Sequence, residues 1–268
     1  MRRSRITAYV TSLLLAVGVT LTGAATARAQ AAAATAYVAL GDSYSSGVGA
    51  GSYTSESGDC KRSTKAYPYL WKTAHSPASF AFTACSGART GDVTANQLGP
   101  LNSSTTLVSI SIGGNDAGFS DVMTTCVLQS ESSCLSRIAT AKAYVDSTLP
   151  GKLNSVYSAI RSKAPSAHVV VLGYPRFYKL NGSCLAGLSE AERSAINGAA
   201  DYLDSAIAAR AAAYGFTFGD VRGTFTGHEI CSGSVWLHSL NLLDIGESYH
   251  PTAAGQSGGY LPVFSGAV

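Results

Sequence analysis

Ser43 stands in Gly41-Asp42-Ser43-Tyr44, directly after the apolar run Tyr37-Val38-Ala39-Leu40. A short buried strand that breaks into a glycine-rich turn lifts a hydroxyl to the carboxyl edge of a sheet, where α/β proteins build their sites. Such a hydroxyl attacks a carbonyl only if a base takes its proton and donors hold the oxyanion that forms. Two further glycine-bearing stretches offer donors: Cys85-Ser86-Gly87-Ala88 and Gly113-Gly114-Asn115-Asp116. The backbone N–H groups of Ser43 and Gly87 and the side-chain amide of Asn115 are the candidate oxyanion hole. Glycine at 87 lets the main chain come close to a reacting carbonyl, and a neutral amide at 115 leaves the base unperturbed.

The base has to be one of five histidines: His75, His168, His228, His238 or His250. His168 opens an apolar run and His75 falls at a helix end, so both read as structural. His228 and His238 lie in an irregular stretch. His250 precedes Pro251-Thr252-Ala253-Ala254-Gly255, a turn-then-helix pattern, and a loop histidine fixed by Pro251 can swing over the sheet edge to Ser43. A rival serine sits in Gly255-Gln256-Ser257-Gly258-Gly259, which fits the G-x-S-x-G elbow. That elbow needs a strand before its serine and a histidine after it. Thr252-Ala253-Ala254 is no strand, and no histidine follows Ser257.

Five short runs read as strands: residues 37–40, 79–82, 107–112, 168–172 and 216–218. Helical patterns lie between most of them. Leu153, Val156, Tyr157 and Ile160 recur at helical spacing with Pro165 as a stop. Ser189 with Glu192 forms a capping box that opens a long helix with Ile196, Ala200, Leu203, Ile207 and Ala211 on one face, ended by Gly215. Strand alternating with helix, and runs such as Val169-Val170-Val171-Leu172 that are apolar on both faces, predict a parallel sheet covered by helices on each side. The ends of the first three strands then emerge at one edge, bringing Ser43, Gly87 and Asn115 together. Residues 50–64 and 224–246 lack periodicity and read as disulfide-pinned loops around the site. Tyr44, Phe119 and Tyr174 suit either an acyl chain or the core.

Gly-Asp-Ser-Tyr, the glycine after strand two, Gly-Gly-Asn-Asp and Tyr249-His250-Pro251-Thr252-Ala253-Ala254-Gly255 resemble, in order and spacing, the four blocks of the SGNH (GDSL-type) hydrolases. The resemblance is greatest to the secreted Streptomyces lipases and esterases of that family, whose six-cysteine, single-domain plan is shared. It implies a flavodoxin-like three-layer α/β/α sandwich with a five-stranded parallel sheet, Ser43 as nucleophile, His250 as base, and Ser43, Gly87 and Asn115 as oxyanion donors. One position departs. Most relatives carry Asp three residues before the histidine, where this chain has Glu247. A side chain one methylene longer overshoots the ring, and some secreted members use a main-chain carbonyl at that place, so the backbone of Glu247 is the expected orienting group.

The chain has 268 residues and a net charge of +3. Arg2, Arg3 and Arg5 precede an apolar stretch from Ser12 to Leu21, and Ala27-Arg28-Ala29 supplies small residues for cleavage. Residues 1–34 therefore read as a secretory signal, cut somewhere in 29–34. Its apolar core is shorter than the roughly 20 residues a transmembrane helix needs, and no later segment reaches that length. The signal carries four arginines and no acid, so its removal takes the net charge from +3 to about −1. No basic surface remains for nucleic acid. Residues 35–268 are expected to form one monomeric domain outside the cell. Cys60, Cys85, Cys126, Cys134, Cys184 and Cys231 contain no C-x-x-C pair, which favours three disulfides over a metal site. Pairing in chain order gives the shortest loops, though six cysteines allow 15 connectivities. No metal or cofactor is expected.

Two classes of function follow. The first is a secreted serine ester hydrolase, a lipase, esterase, phospholipase or carbohydrate esterase, working through an acyl-enzyme on Ser43. The second is a non-catalytic glycan- or surface-binding module on the same scaffold, which would leave all four blocks without use.

Overall fold

The computed structural model describes residues 34–182, 184 and 187–268; the expected signal segment lies outside the described residues up to residue 33. Residues 34–268 form one compact unit. In chain order its elements are β1 (Ala36–Gly41), α1 (Ser43–Ser46), α2 (Tyr67–His75), β2 (Ser79–Phe82), α3 (Thr90–Asp92), β3 (Leu107–Ser111), α4 (Phe119–Leu128), α5 (Glu131–Ser147), α6 (Leu149–Lys163), β4 (His168–Leu172), α7 (Glu190–Ala213), β5 (Thr217–Gly219) and α8 (Leu261–Ala267).

The five strands form one sheet in the order β2-β1-β3-β4-β5, and every pairing is parallel. Parallel neighbours require crossovers, and the helices supply them. Strand order reverses around β1, because the chain steps outward to β2 and then back past β1 to β3. A crevice opens at such a switch point above the carboxyl ends of the strands. Helices α2 and α8 pack together, with α2 against β2 and α8 against β4 and β5, while α4 to α7 pack among themselves and α7 lies on β4 and β5. The result is an α/β fold of three layers.

The central strands are apolar on both faces because both are covered. All of β3 and all but the first residue of β4 are buried. Tyr37 packs against Trp71, Phe80 and Phe264, and its hydroxyl meets Ser109 Oγ at 2.7 Å. Tyr157 packs against Tyr214 and Phe216. In α6 the four residues Leu153, Val156, Tyr157 and Ile160 are all buried. Helix α7 begins after Ser189, whose Oγ accepts the Glu192 N–H while the Glu192 carboxylate accepts the Ser189 N–H.

The structure differs from the sequence reading at several elements. Helices α4 and α5 were not read from the sequence, because their buried faces mix small and polar residues: Thr125 and Cys126 in one, Cys134 and Ala141 in the other. The core face of α7 includes Asp204, which is fully buried, while Leu203 is only partly so. The loop at 50–64 contains a short 3-10 helix, Ser55–Cys60, and a bridge between Tyr53 and Ser63. The stretch at 224–246 is tied down by bridges from Tyr178 to Ile230 and from Leu237 to Pro251. Disulfides join Cys60 to Cys85, Cys126 to Cys134 and Cys184 to Cys231, each cysteine to its neighbour in the chain.

Candidate active site

Ser43 is the first residue of α1, where β1 meets the crevice. Gly41 closes the strand with φ +122°, and a Cβ there would lie 2.5 Å from the Ser111 carbonyl oxygen and 2.8 Å from Ser45 Oγ. No side chain fits that position, which explains the glycine. The buried amide of Gln97 clamps Gly41 on both sides, accepting its N–H at 2.7 Å and donating to its carbonyl at 2.9 Å.

Asp42 caps the one-turn helix by accepting the Tyr44 N–H at 3.0 Å. Its carboxyl also accepts from Ser111 Oγ at 2.6 Å and from the Tyr174 hydroxyl at 2.5 Å. Burial pushes Asp42 up to about 6, against the opposing pull of these donors. The Tyr174 hydroxyl also accepts the Gly114 N–H at 3.1 Å, so one phenol ties the nucleophile turn to the Gly-Gly-Asn-Asp loop.

Ser43 Oγ and His250 Nε2 are 2.7 Å apart, within reach for direct proton transfer. The other ring nitrogen, Nδ1, lies 3.1 Å from the main-chain oxygen of Ser248. A carbonyl only accepts, so Nδ1 carries the hydrogen and Nε2 is left free to accept from Ser43. The residue facing Nδ1 is thus Ser248, which corrects the expectation of Glu247. The Glu247 carbonyl accepts the backbone N–H of His250 at 3.1 Å. Its carboxylate accepts from the Tyr53 hydroxyl at 3.1 Å, and that hydroxyl accepts the Gly49 N–H at 2.9 Å. Glu247 braces a loop. The tight turn 247–250 explains the one-residue shift: with Glu247 O committed to the His250 amide, the next carbonyl comes under the ring.

The pKa of His250 falls from 6.5 to about 4, chiefly through burial, with His238 and Lys61 pushing the same way; the Ser248 carbonyl and, after it, the Glu247 carbonyl pull the other way. The four remaining histidines are each engaged with a backbone carbonyl: His75 with Trp71, His168 with Ala267, His228 with Ser234 and His238 with Gly49. Ser257 lies in a π-helical turn, Gly255–Tyr260, with no strand before it, and is exposed.

Gly87 follows β2 with φ +74°, and Asn115 follows β3. Two loops that carry donors must be held in register, and polar contacts do this. Asp116 accepts the Thr90 N–H at 2.9 Å and the Thr90 hydroxyl at 2.7 Å, and the Asn115 amide donates to the Ala88 carbonyl at 3.0 Å. Gln256 links the Tyr44 carbonyl to the Tyr67 N–H, and the Tyr44 hydroxyl donates to the Tyr249 carbonyl at 2.8 Å. Gln97, Gln256 and the supporting role of Asp116 were not found from the sequence. Asp116 and Gln256 each stand inside a quoted motif, Gly113-Gly114-Asn115-Asp116 and Gly255-Gln256-Ser257-Gly258-Gly259, without their partners being indicated.

An apolar cavity opens beside Ser43. Tyr44, Tyr174, Phe119, Met123, Phe177 and Ile196 line it. A second, more polar depression is lined by Gly87 together with Arg62, Asp92 and Asn96. Among the described residues, no group of three or more His, Cys, Asp or Glu side chains has the geometry to hold a metal.

Residues 39–257 match the model of the GDSL-like lipase/acylhydrolase family. Over 268 residues, the whole of both chains, the sequence is 76% identical to a protein named Lipase 1 from Streptomyces coelicolor. The fold matches the crystal structure of an extracellular lipase from Streptomyces rimosus, at 67% identity and TM-score 0.86, over 88% of this chain and all of that one. It also matches phospholipase A1 from Streptomyces albidoflavus, at 70% identity, TM-score 0.86 and the same coverage.

Proposed function

The chain belongs to the GDSL-like lipase/acylhydrolase family and is a carboxylic ester hydrolase, and from that premise we propose that it cleaves lipid esters through an acyl-enzyme on Ser43, with His250 as the only side-chain base. The observation that carries this is the 2.7 Å contact between Ser43 Oγ and His250 Nε2, with Nδ1 turned to the Ser248 carbonyl.

Ser43 Oγ attacks the ester carbonyl as its proton passes to Nε2. The carbonyl oxygen becomes an oxyanion that accepts from the N–H groups of Ser43 and Gly87 and from the Asn115 amide, donors that act where charge develops. The imidazolium then gives its proton to the leaving alkoxide, the tetrahedral intermediate collapses to an acyl-Ser43, and water reverses the sequence. The Ser248 carbonyl stabilises the imidazolium as a dipole rather than a full charge. A ring held neutral well below pH 6 suits this, because it enters each turnover as a free base.

The apolar cavity supports a hydrocarbon acyl chain, and the 70% identity to a chain named phospholipase A1 supports phospholipid among the substrates. The N-terminal pattern, the disulfides and the name of the extracellular relative support action outside the cell. The test is Ser43→Ala beside Ser257→Ala, assayed on p-nitrophenyl esters of increasing length, a triglyceride emulsion and phosphatidylcholine. Ser43→Ala should lose at least about a thousandfold on every hydrolysed ester, and Ser257→Ala should lose little. Reversal of the two results refutes the assignment, and the substrate series decides between triglyceride and phospholipid.

A further inference from the structure

The segment from His238 to His250 leaves the site and returns to it. Its ends are stitched together, His238 N–H to the His250 carbonyl and Tyr249 N–H to the His238 carbonyl, both at 2.9 Å. Between them lies an unusual distribution of side chains. Leu242 is 81% exposed, Leu243 100% and Ile245 65%. The polar residues are spent on the loop itself: Asn241 Oδ1 accepts the N–H groups of Leu243 and Asp244, Asp244 Oδ1 accepts that of Gly246, and Ser248 Oγ accepts that of Asn241. Polar groups hold the turn from inside while three aliphatic side chains face water, the reverse of what favours an isolated surface loop.

We propose that this tip is an anchor that enters a lipid–water interface and seats the crevice on it. Position is the first argument. The returning arm carries Tyr249, which packs on Phe119 and Phe177, and both of these line the apolar cavity beside Ser43. The tip is thus rooted in the wall along which an acyl chain would leave a lipid layer. Charge is the second. The one acid among residues 242–245 is Asp244, whose carboxylate lies 3.8 Å from the Lys61 ammonium, so the tip does not present an unbalanced negative charge to phosphate headgroups. Size is the third. Three aliphatic side chains without an aromatic or arginine anchor fall short of the 20–30 residues a side in a stable protein interface, yet they suffice for shallow, reversible insertion.

The choice of partner rests on the lipid-ester reading of the Ser43 site, and the experiment separates the two. Binding is measured by sedimentation on vesicles of diether phosphatidylcholine, which has no ester to cleave, and turnover is measured separately on soluble p-nitrophenyl butyrate. The wild type should partition onto the vesicles. Leu242→Ser/Leu243→Ser/Ile245→Ser should lose at least about tenfold in partition with kcat/KM on the soluble ester within about twofold. Leu243→Trp, at a position that packs against nothing, should gain a blue-shifted emission component on adding vesicles that the wild type lacks. No wild-type partition, an unchanged partition in the triple variant, or no spectral change in Leu243→Trp overturns the anchor. A severalfold change in KM for the soluble ester overturns it as well, since the tip would then belong to the substrate pocket. Absence of ester turnover with binding intact refutes the hydrolytic reading alone.

Discussion

The acid limit of activity tests the site most directly, because it reads the base itself. Burial lowers His250 from 6.5 to about 4. At pH 5 a histidine with the ordinary value is about 3% neutral, whereas one at 4 is about 90% neutral, a difference of roughly thirtyfold in competent base. We expect kcat/KM on p-nitrophenyl butyrate to be flat from pH 8 down to about 5 and to fall about tenfold per unit only below about 4. Asp42, raised to about 6, titrates inside this window but is not the group that takes the Ser43 proton, so Asp42→Asn should rescale the profile without moving its acid limb. Stability supplies a check with a definite sign. The unfolded chain protonates His250 first, so stability is lost as pH falls from 6.5 towards 4, by up to about 3 kcal/mol at about 1.4 kcal/mol per pH unit. For Asp42 the folded value is the higher one, so a cost present above pH 6 is relieved as pH falls towards 3.8, also by up to about 3 kcal/mol. The two oppose each other. His250→Gln should therefore gain stability relative to the wild type on acidification over this window, and Asp42→Asn should lose it, in denaturant titrations at pH 7 and 4.5. A wild-type limb at pH 6 to 7 would refute the buried, neutral base.

Further outcomes follow from single contacts. Glu247→Ala and Glu247→Gln remove a carboxylate that holds Tyr53 rather than the imidazole, so kcat should fall by at most about tenfold, against roughly 10⁴ for a working triad acid; a loss beyond a thousandfold with an unchanged circular dichroism spectrum would restore the carboxylate to the triad. Asp116→Ala unties Thr90 from the Asn115 loop and should lower kcat about ten- to a hundredfold with KM nearly constant, whereas a pure KM effect would remove Asp116 from oxyanion-hole support. Chelation should leave activity intact, and restoration of EDTA-lost activity by a divalent ion would sink the metal-free mechanism. Reduction should inactivate at elevated temperature, because opening Cys60–Cys85 frees the chain just ahead of Gly87; full activity after verified reduction would contradict this.

How much was legible depended on how local the cause is. Alternating apolar strands and amphipathic helices depend on spacing within a few residues, so the five strands, α6 and α7 could be read directly from the chain. The four blocks could be read as well, because each is a short run at the end of a strand or in a loop, and a parallel sheet brings such ends to one edge. Helices α4 and α5 are harder to read because Val122, Met123, Ile138 and Val145 share their buried faces with Thr125, Cys126, Cys134 and Ala141, whose burial reflects what packs against them. Tertiary structure alone decided the rest. Whether Glu247 or Ser248 lies under the imidazole turns on one backbone hydrogen bond in a four-residue turn, and an error of one residue there is invisible to any pattern. Gln97 and Gln256 join segments 56 and 212 residues apart, and nothing in their neighbours foretells a partner so distant. The same holds for Leu242, Leu243 and Ile245: as letters they are core residues, and only the path of the folded loop leaves them in water.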